Sequence, residues 1–244
     1  LGIPVFHDDQ HGTAIVVLAG LINAAKLVGK SLFDLRVVIN GAGAAGIAIA
    51  RLLKCADTHS TSCIAVKDII LCDSKGIIHK DRENLNTAKR EILQHSNAED
   101  RKGTLRDALV GADVFIGVSK GDLLQAEDIR TMEKDAIVFG LANPIPEIMP
   151  EDAYKGGAAV VGTGRSDLPN QINNVLGFPG IFRGALDARA KRITPDMKLA
   201  AARAIADIIP VPAQASIIPS SLNIEVASVV SKAVYETAMQ EMKV

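Results

Sequence analysis

One stretch, residues 36–46, leaves few folds open to this chain: Arg-Val-Val-Ile-Asn runs straight into Gly41-Ala42-Gly43-Ala44-Ala45-Gly46. The first five residues are a short β-branched run of the kind that forms a buried strand. The next six put glycine at the first, third and sixth positions, and residues 47–54 continue with helical spacing of apolar side chains. A strand that turns this tightly into a helix is the opening unit of a parallel β-α-β layer. The first glycine permits the turn, the second lets a pyrophosphate approach backbone N–H groups, and the third lets the helix lie close to the sheet. The new helix also offers unpaired N–H groups and the positive end of its dipole to an anion. In this context the motif predicts dinucleotide binding through residues 41–46. The plain alternative is a small-residue turn in an ordinary α/β fold.

The rest of the chain extends the same alternation. Strands are predicted at 69–73, 114–118, 137–142 and 158–162, and helices at 10–30, 84–94, 105–110, 126–132 and 151–155. Thr104 is placed to cap the helix that follows it. Near-continuous apolar strands separated by helices predict an α/β fold: a doubly wound, mostly parallel Rossmann-type sheet covered on both faces. From Asn174 onward the pattern turns helical. Thr194-Pro195-Asp196 opens one helix, and a loop marked by Pro210, Pro212 and Pro219 separates it from a last helix at 223–242. The expected organisation is an opening helical segment at 1–30, a dinucleotide-binding unit at 31–190 and C-terminal helices at 191–244 packed on it.

Composition narrows the function classes. With 27 Lys+Arg against 28 Asp+Glu the net charge is -1, which gives no footprint for nucleic acid or an anionic membrane. Aromatic residues make up 3% and Trp is absent, against base-stacking surfaces. The longest apolar run, residues 14–25, is interrupted by Asn23 and is too short to span a bilayer. Cys55, Cys63 and Cys72 are odd in number and lack C-x-x-C spacing, so neither a disulfide framework nor a zinc ribbon is expected, and a reducing cytoplasmic compartment is. Leu1 is not an initiating Met, which implies a processed or partial chain.

Three further features bear on chemistry. Asp73 ends the second strand, where a carboxylate would accept the adenosine ribose hydroxyls and favour NAD. It lies 27 residues after Gly46, with an insertion at 57–67 accounting for the length. Lys75 and Lys80 follow it and could meet a 2′-phosphate instead, which keeps NADP open; Asp73 could also simply cap its own turn. His7-Asp8-Asp9-Gln10-His11 sets two carboxylates beside two imidazoles. A hard cation such as Mg²⁺ or Mn²⁺ on one Asp is chemically easier than zinc, since no third soft ligand is apparent; helix capping by the two Asp residues is the alternative. Ser119, Asn143 and the pair Asn173-Asn174 stand at strand ends or helix starts, where a doubly wound sheet lines its ligand crevice. Tyr154 and Tyr235, the only tyrosines, have no base beside them in sequence that would make either a general acid.

Taken in order, residues 3–14 (IPVFHDDQHGTA), 41–46 (GAGAAG), 71–76 (LCDSKG), 142–144 (ANP) and 170–175 (NQINNV) with 178–180 (FPG) resemble malic enzymes of the compact prokaryotic type. A generic dinucleotide domain has no reason to carry the first and last of these. The resemblance implies NAD(P)-dependent oxidative decarboxylation of malate to pyruvate and CO2. It implies Asp9 as a ligand of Mg²⁺ or Mn²⁺, Asp8 in the active site, and Asn143 and Asn174 against substrate or nicotinamide. It also implies a homodimer or higher homo-oligomer. Family members carry an N-terminal domain with a catalytic Tyr, a catalytic Lys and a Glu-Asp pair, which no residues here match. The 244 residues alone are therefore expected to bind dinucleotide but to turn over malate poorly. The competing readings are a dinucleotide-binding module without chemistry, and the cofactor domain of another dehydrogenase, which would need no metal.

Overall fold

The computed structural model describes residues 3–58, 63 and 65–242. Part of the predicted insertion at 57–67 lies outside the described residues. A single widened helical turn, Asp8–Gly12, leads into α1 (Thr13–Leu27). Then follow β1 (Arg36–Asn40), α2 (Ala44–Leu53), β2 (Asp68–Asp73), β3 (Gly76–Ile77), α3 (Thr87–Ile92), α4 (Leu105–Leu109) and β4 (Val114–Gly117). The chain continues with α5 (Ala126–Ile129), β5 (Ala136–Gly140), α6 (Pro150–Lys155), β6 (Ala158–Thr163), α7 (Phe178–Asp187), α8 (Pro195–Asp207) and α9 (Glu225–Glu241).

The strands form one sheet in the order β3-β2-β1-β4-β5-β6. All neighbouring pairs are parallel except the short edge strand β3, which runs antiparallel to β2. The chain moves outward from β1 to β2, then returns to lay β4 on the other side of β1. That reversal opens a crevice at the carboxyl ends of β1 and β4. Alternation along each strand feeds two cores. Val37 and Ile39 of β1, with Ile69 and Leu71 of β2, face α1, α2 and the C-terminal helices. Val38, Ile70, Phe115 and Val138 face α4, α5 and α6. This is the doubly wound Rossmann-type sheet that the sequence predicts.

The apolar run of residues 14–25 has become α1, a helix buried on nearly every side. Its one buried amide, Asn23, donates to the carbonyls of Ala206 and Ile217 at 2.9 and 3.0 Å and so locks α1 to the C-terminal helices. Among the described residues no helix is long and apolar enough to cross a membrane. The predicted helix 10–30 is shorter at its C-terminus and is preceded by the widened turn, which gives room to Asp8: a Cβ on Gly12 would overlap Asp8 Oδ1.

The cysteines depart from expectation. Cys55 and Cys63 form a disulfide, with their Cα atoms 6.0 Å apart, and Cys72 is a buried free thiol. Spacing alone missed the pair because Cys55 takes a left-handed conformation, φ 54°, directly after α2 and turns the chain back on itself. Denatured without reductant, the chain should titrate one thiol, and with reductant three; three in both cases would remove the bond. Asn23→Ala should lower stability by about 1–2 kcal/mol in chemical denaturation, because the buried Ile217 carbonyl loses its donor.

Candidate functional site

The glycine turn builds the crevice. Gly41 leaves β1 with φ +119°, and a Cβ there would stand 2.6 Å from the Val118 carbonyl oxygen. Its N–H donates to Cys72 at 2.9 Å, pinning the turn to β2. A Cβ on Gly46 would overlap the Gly41 carbonyl oxygen, so only glycine lets α2 descend this close to the strand. Around Gly43, by contrast, a Cβ would meet nothing within 4 Å. That openness faces outward, and no side chain caps the α2 N-terminus. The cleft in front of the turn has a volume of about 740 Å³ and runs from Asn40 and residues 41–43 past Asp73 and Lys75 to Ser119 and Lys120. Its size and its array of unpaired N–H groups fit an extended dinucleotide.

Asp73 stands at one end of the cleft with both oxygens engaged. It accepts from the Lys75 backbone N–H at 2.9 Å, from both Arg82 terminal nitrogens at 2.9 and 3.0 Å, and from Lys89 Nζ at 2.7 Å. Burial alone would raise its pKa, but the bonds from Arg82, Lys89 and Lys75 outweigh it and hold the carboxyl well below the usual range. Asp73 therefore caps its own turn and also faces the cleft. Lys75 lines the cleft as expected, and Lys80 does not. Arg82 and Lys89 have no signal in the sequence: they approach Asp73 from positions 9 and 16 residues away, and Lys89 does so from α3.

Asp8 and Asn174, 166 residues apart, meet through a bond from Asn174 Nδ2 to Asp8 Oδ2. The turn carrying Asp8 packs against α2 and against the short helical turn Asn174–Leu176. Burial raises the Asp8 pKa, and the neighbouring Asp9 charge raises it further. Asp8 Oδ1 is buried with no hydrogen-bond partner. Asp9 is exposed and makes no hydrogen bond or ion pair among the described residues. An orphaned carboxylate oxygen beside an exposed carboxylate is a donor set suited to a hard cation. Yet among the described residues no group of three or more His, Cys, Asp or Glu could hold a metal ion. Asp8 and Asp9 alone therefore do not make a closed metal site. Nor do the two histidines of this motif act together. His7 precedes the helical turn in extended conformation, while His11 stacks near Phe6 at 5.8 Å and is pushed down to about 4 by burial and by the Lys198 charge.

Ser119 accepts from Asn40 Nδ2 at 2.8 Å and lines the cleft. Asn143 is exposed just beyond β5, with its amide against Gly164, and is not among the cleft-lining residues. Asn173 uses its side-chain oxygen to accept from Val175 N–H at 2.9 Å, a local cap. Tyr154 and Tyr235 lie on α6 and α9, and neither lines the cleft.

Over 241 residues, 98% of the chain, it is 54% identical to the bifunctional malic/malolactic enzyme of Bacillus subtilis, and it covers 57% of that protein. It is 45% identical to the NADP-dependent malic enzyme of Halomonas elongata, covering 97% of this chain and 58% of that one. The crystal structure of the NAD-dependent malic enzyme of Thermotoga maritima superposes with a TM-score of 0.89 at 45% identity, over 96% of this chain and 60% of that one. The chain thus spans somewhat more than half the length of these relatives. Residues 10–239 match the family described as malic enzyme, NAD binding domain, and it is to this family that the chain, with its open glycine turn facing the cleft, belongs.

Proposed function

We propose that this chain supplies the dinucleotide site and part of the substrate and metal site for NAD(P)-dependent oxidative decarboxylation of malate to pyruvate and CO2. The observation that carries this reading is the meeting of Asp8 with Asn174 on a turn packed against α2, the helix that opens the cleft. Residues of the two motifs most particular to the resemblance thereby come together against α2.

In this reading residues 41–46 hold the pyrophosphate through backbone N–H groups, and Asp73 receives the adenosine ribose. The ribose corner carries both cofactor chemistries: Asp73 favours NAD, while Lys75, Lys89 and Arg82 around it supply positive charge for the 2′-phosphate of NADP. Ser119 and Asn143 lie at the ends of neighbouring strands and orient the nicotinamide half. Asn143, Asn174 and Asn173 contribute amides toward substrate. Asp8 fixes the Asn174 amide with one oxygen, and Asp9 beside it is the donor to Mg²⁺ or Mn²⁺. Bound there, the cation would act as a Lewis acid on the keto acid formed from malate as CO2 leaves. Residues 1–30 bring the Asp pair, 31–190 form the cofactor unit, and 191–244 buttress it. By resemblance the assembly is a homodimer or higher homo-oligomer.

Gly43→Ala tests the cofactor site cleanly. Since the added methyl meets no protein atom, the fold should be unchanged while NAD(P) binds roughly tenfold more weakly by calorimetry. Equal affinity would move the pyrophosphate away from this turn. In a full-length malic enzyme carrying this segment, Asp9→Ala should abolish Mg²⁺- or Mn²⁺-dependent malate turnover and spare dinucleotide binding. Unchanged turnover would remove Asp9 from the metal site. Full-rate NAD(P)H formation from malate by the 244 residues alone would overturn the division of labour proposed.

A further inference from the structure

We infer that Glu147 is a positioning residue: its carboxylate, sealed beneath the carboxyl ends of β4 and β5, ties the loop bearing Ser119 to the loop bearing Asn143. Glu147 is 0% exposed and forms no ion pair among the described residues. Its oxygens are matched instead by backbone donors, foremost Ser119 N–H to Oε1 at 2.9 Å and Ala142 N–H to Oε2 at 3.0 Å. Its own carbonyl oxygen accepts from Leu123 and Leu124 at 2.9 and 3.0 Å, which anchors it from the main chain.

The sequence makes room for it. β4 ends in Gly117, where a Cβ would overlap Glu147 Cδ and lie 2.6 Å from Cγ. A charge placed this deep without a cation is expensive, and burial pushes its pKa up. A fully buried carboxylate is kept here because the task needs two acceptors pointing at two amides. A neutral Gln would turn an NH2 group against one of them. Through Ser119 the link continues to Asn40, so the ends of β1, β4 and β5 form one hydrogen-bonded rim. The inference rests on the proposed reading of this rim as the nicotinamide side of a dinucleotide site.

The test compares the 244-residue chain with Glu147→Gln and Gly117→Ala, by amide hydrogen exchange and by calorimetric titration with NAD and with ADP. Gly117→Ala serves should Glu147→Gln not fold. Alanine is compatible with its backbone, and the three atoms nearest the added methyl all belong to Glu147. Either variant should exchange the Ser119 or Ala142 amide about tenfold faster or more, and bind NAD about tenfold more weakly with ADP affinity unchanged. Unaltered exchange at both amides would overturn the inference, as would equal weakening of NAD and ADP, which signals general damage. Failure of the unmodified chain to bind NAD would defeat the dinucleotide reading instead, and exchange at the two amides would then decide the role of Glu147 by itself.

Discussion

The backbone of α2 rests on the backbone of the turn that precedes it, Gly46 against the Gly41 carbonyl, and the rest of the structure is arranged around that contact. A side chain at either position would lift the helix and tilt its N-terminus away from the sheet. Because the helix is held low, it begins at the edge of the cleft with no side chain capping it. Because Gly41 also abuts Val118, the same turn registers β1 against β4 at the point where the strand order reverses. The anion-binding end of the helix and the crevice of the sheet are thus one geometric event.

The polar groups inside the molecule fall into two kinds. Those that hold the frame are matched: Asn23 by two carbonyls, Glu147 by two amides, Asp73 by Arg82, Lys89 and its own turn. Matching of this sort is what a buried polar group requires if it is not to cost stability. Two buried side-chain atoms among the described residues lack a partner, Asp8 Oδ1 and His79 Nδ1, and only the first sits beside a second carboxylate, Asp9.

How much of this is legible in the sequence depends on the range of the forces involved. β1, β2 and β4 to β6 are legible because both faces of a parallel sheet are buried, which writes nearly continuous apolar runs. Thr104 and Thr194 mark their helices because capping is settled within four residues. The two-residue strand β3 is illegible, since its pairing to β2 follows from the Asp73 turn rather than from any apolar pattern. The disulfide depends on a left-handed residue at Cys55, and the clamp on Asp73 depends on where α3 docks. Glu147 carries the least warning of all, a glutamate after two prolines that looks like surface loop and is wholly buried. The meeting of Asp8 and Asn174 is foreshadowed only by the resemblance of their two motifs to one family.

That long-range pairing has a consequence in time. Asp8 is among the first residues a ribosome would deliver from this segment, and Asn174 follows 166 residues later. At ordinary elongation rates the two are separated by roughly 8–30 s of synthesis. By then β1 to β6 have all emerged and the sheet has the strands it needs, so the scaffold precedes the site. Until Asn174 arrives the turn bearing Asp8 has α1 and α2 to pack on, but its carboxylate lacks the amide from the far end of the segment. The order of assembly is therefore frame first and the Asp8–Asn174 contact last.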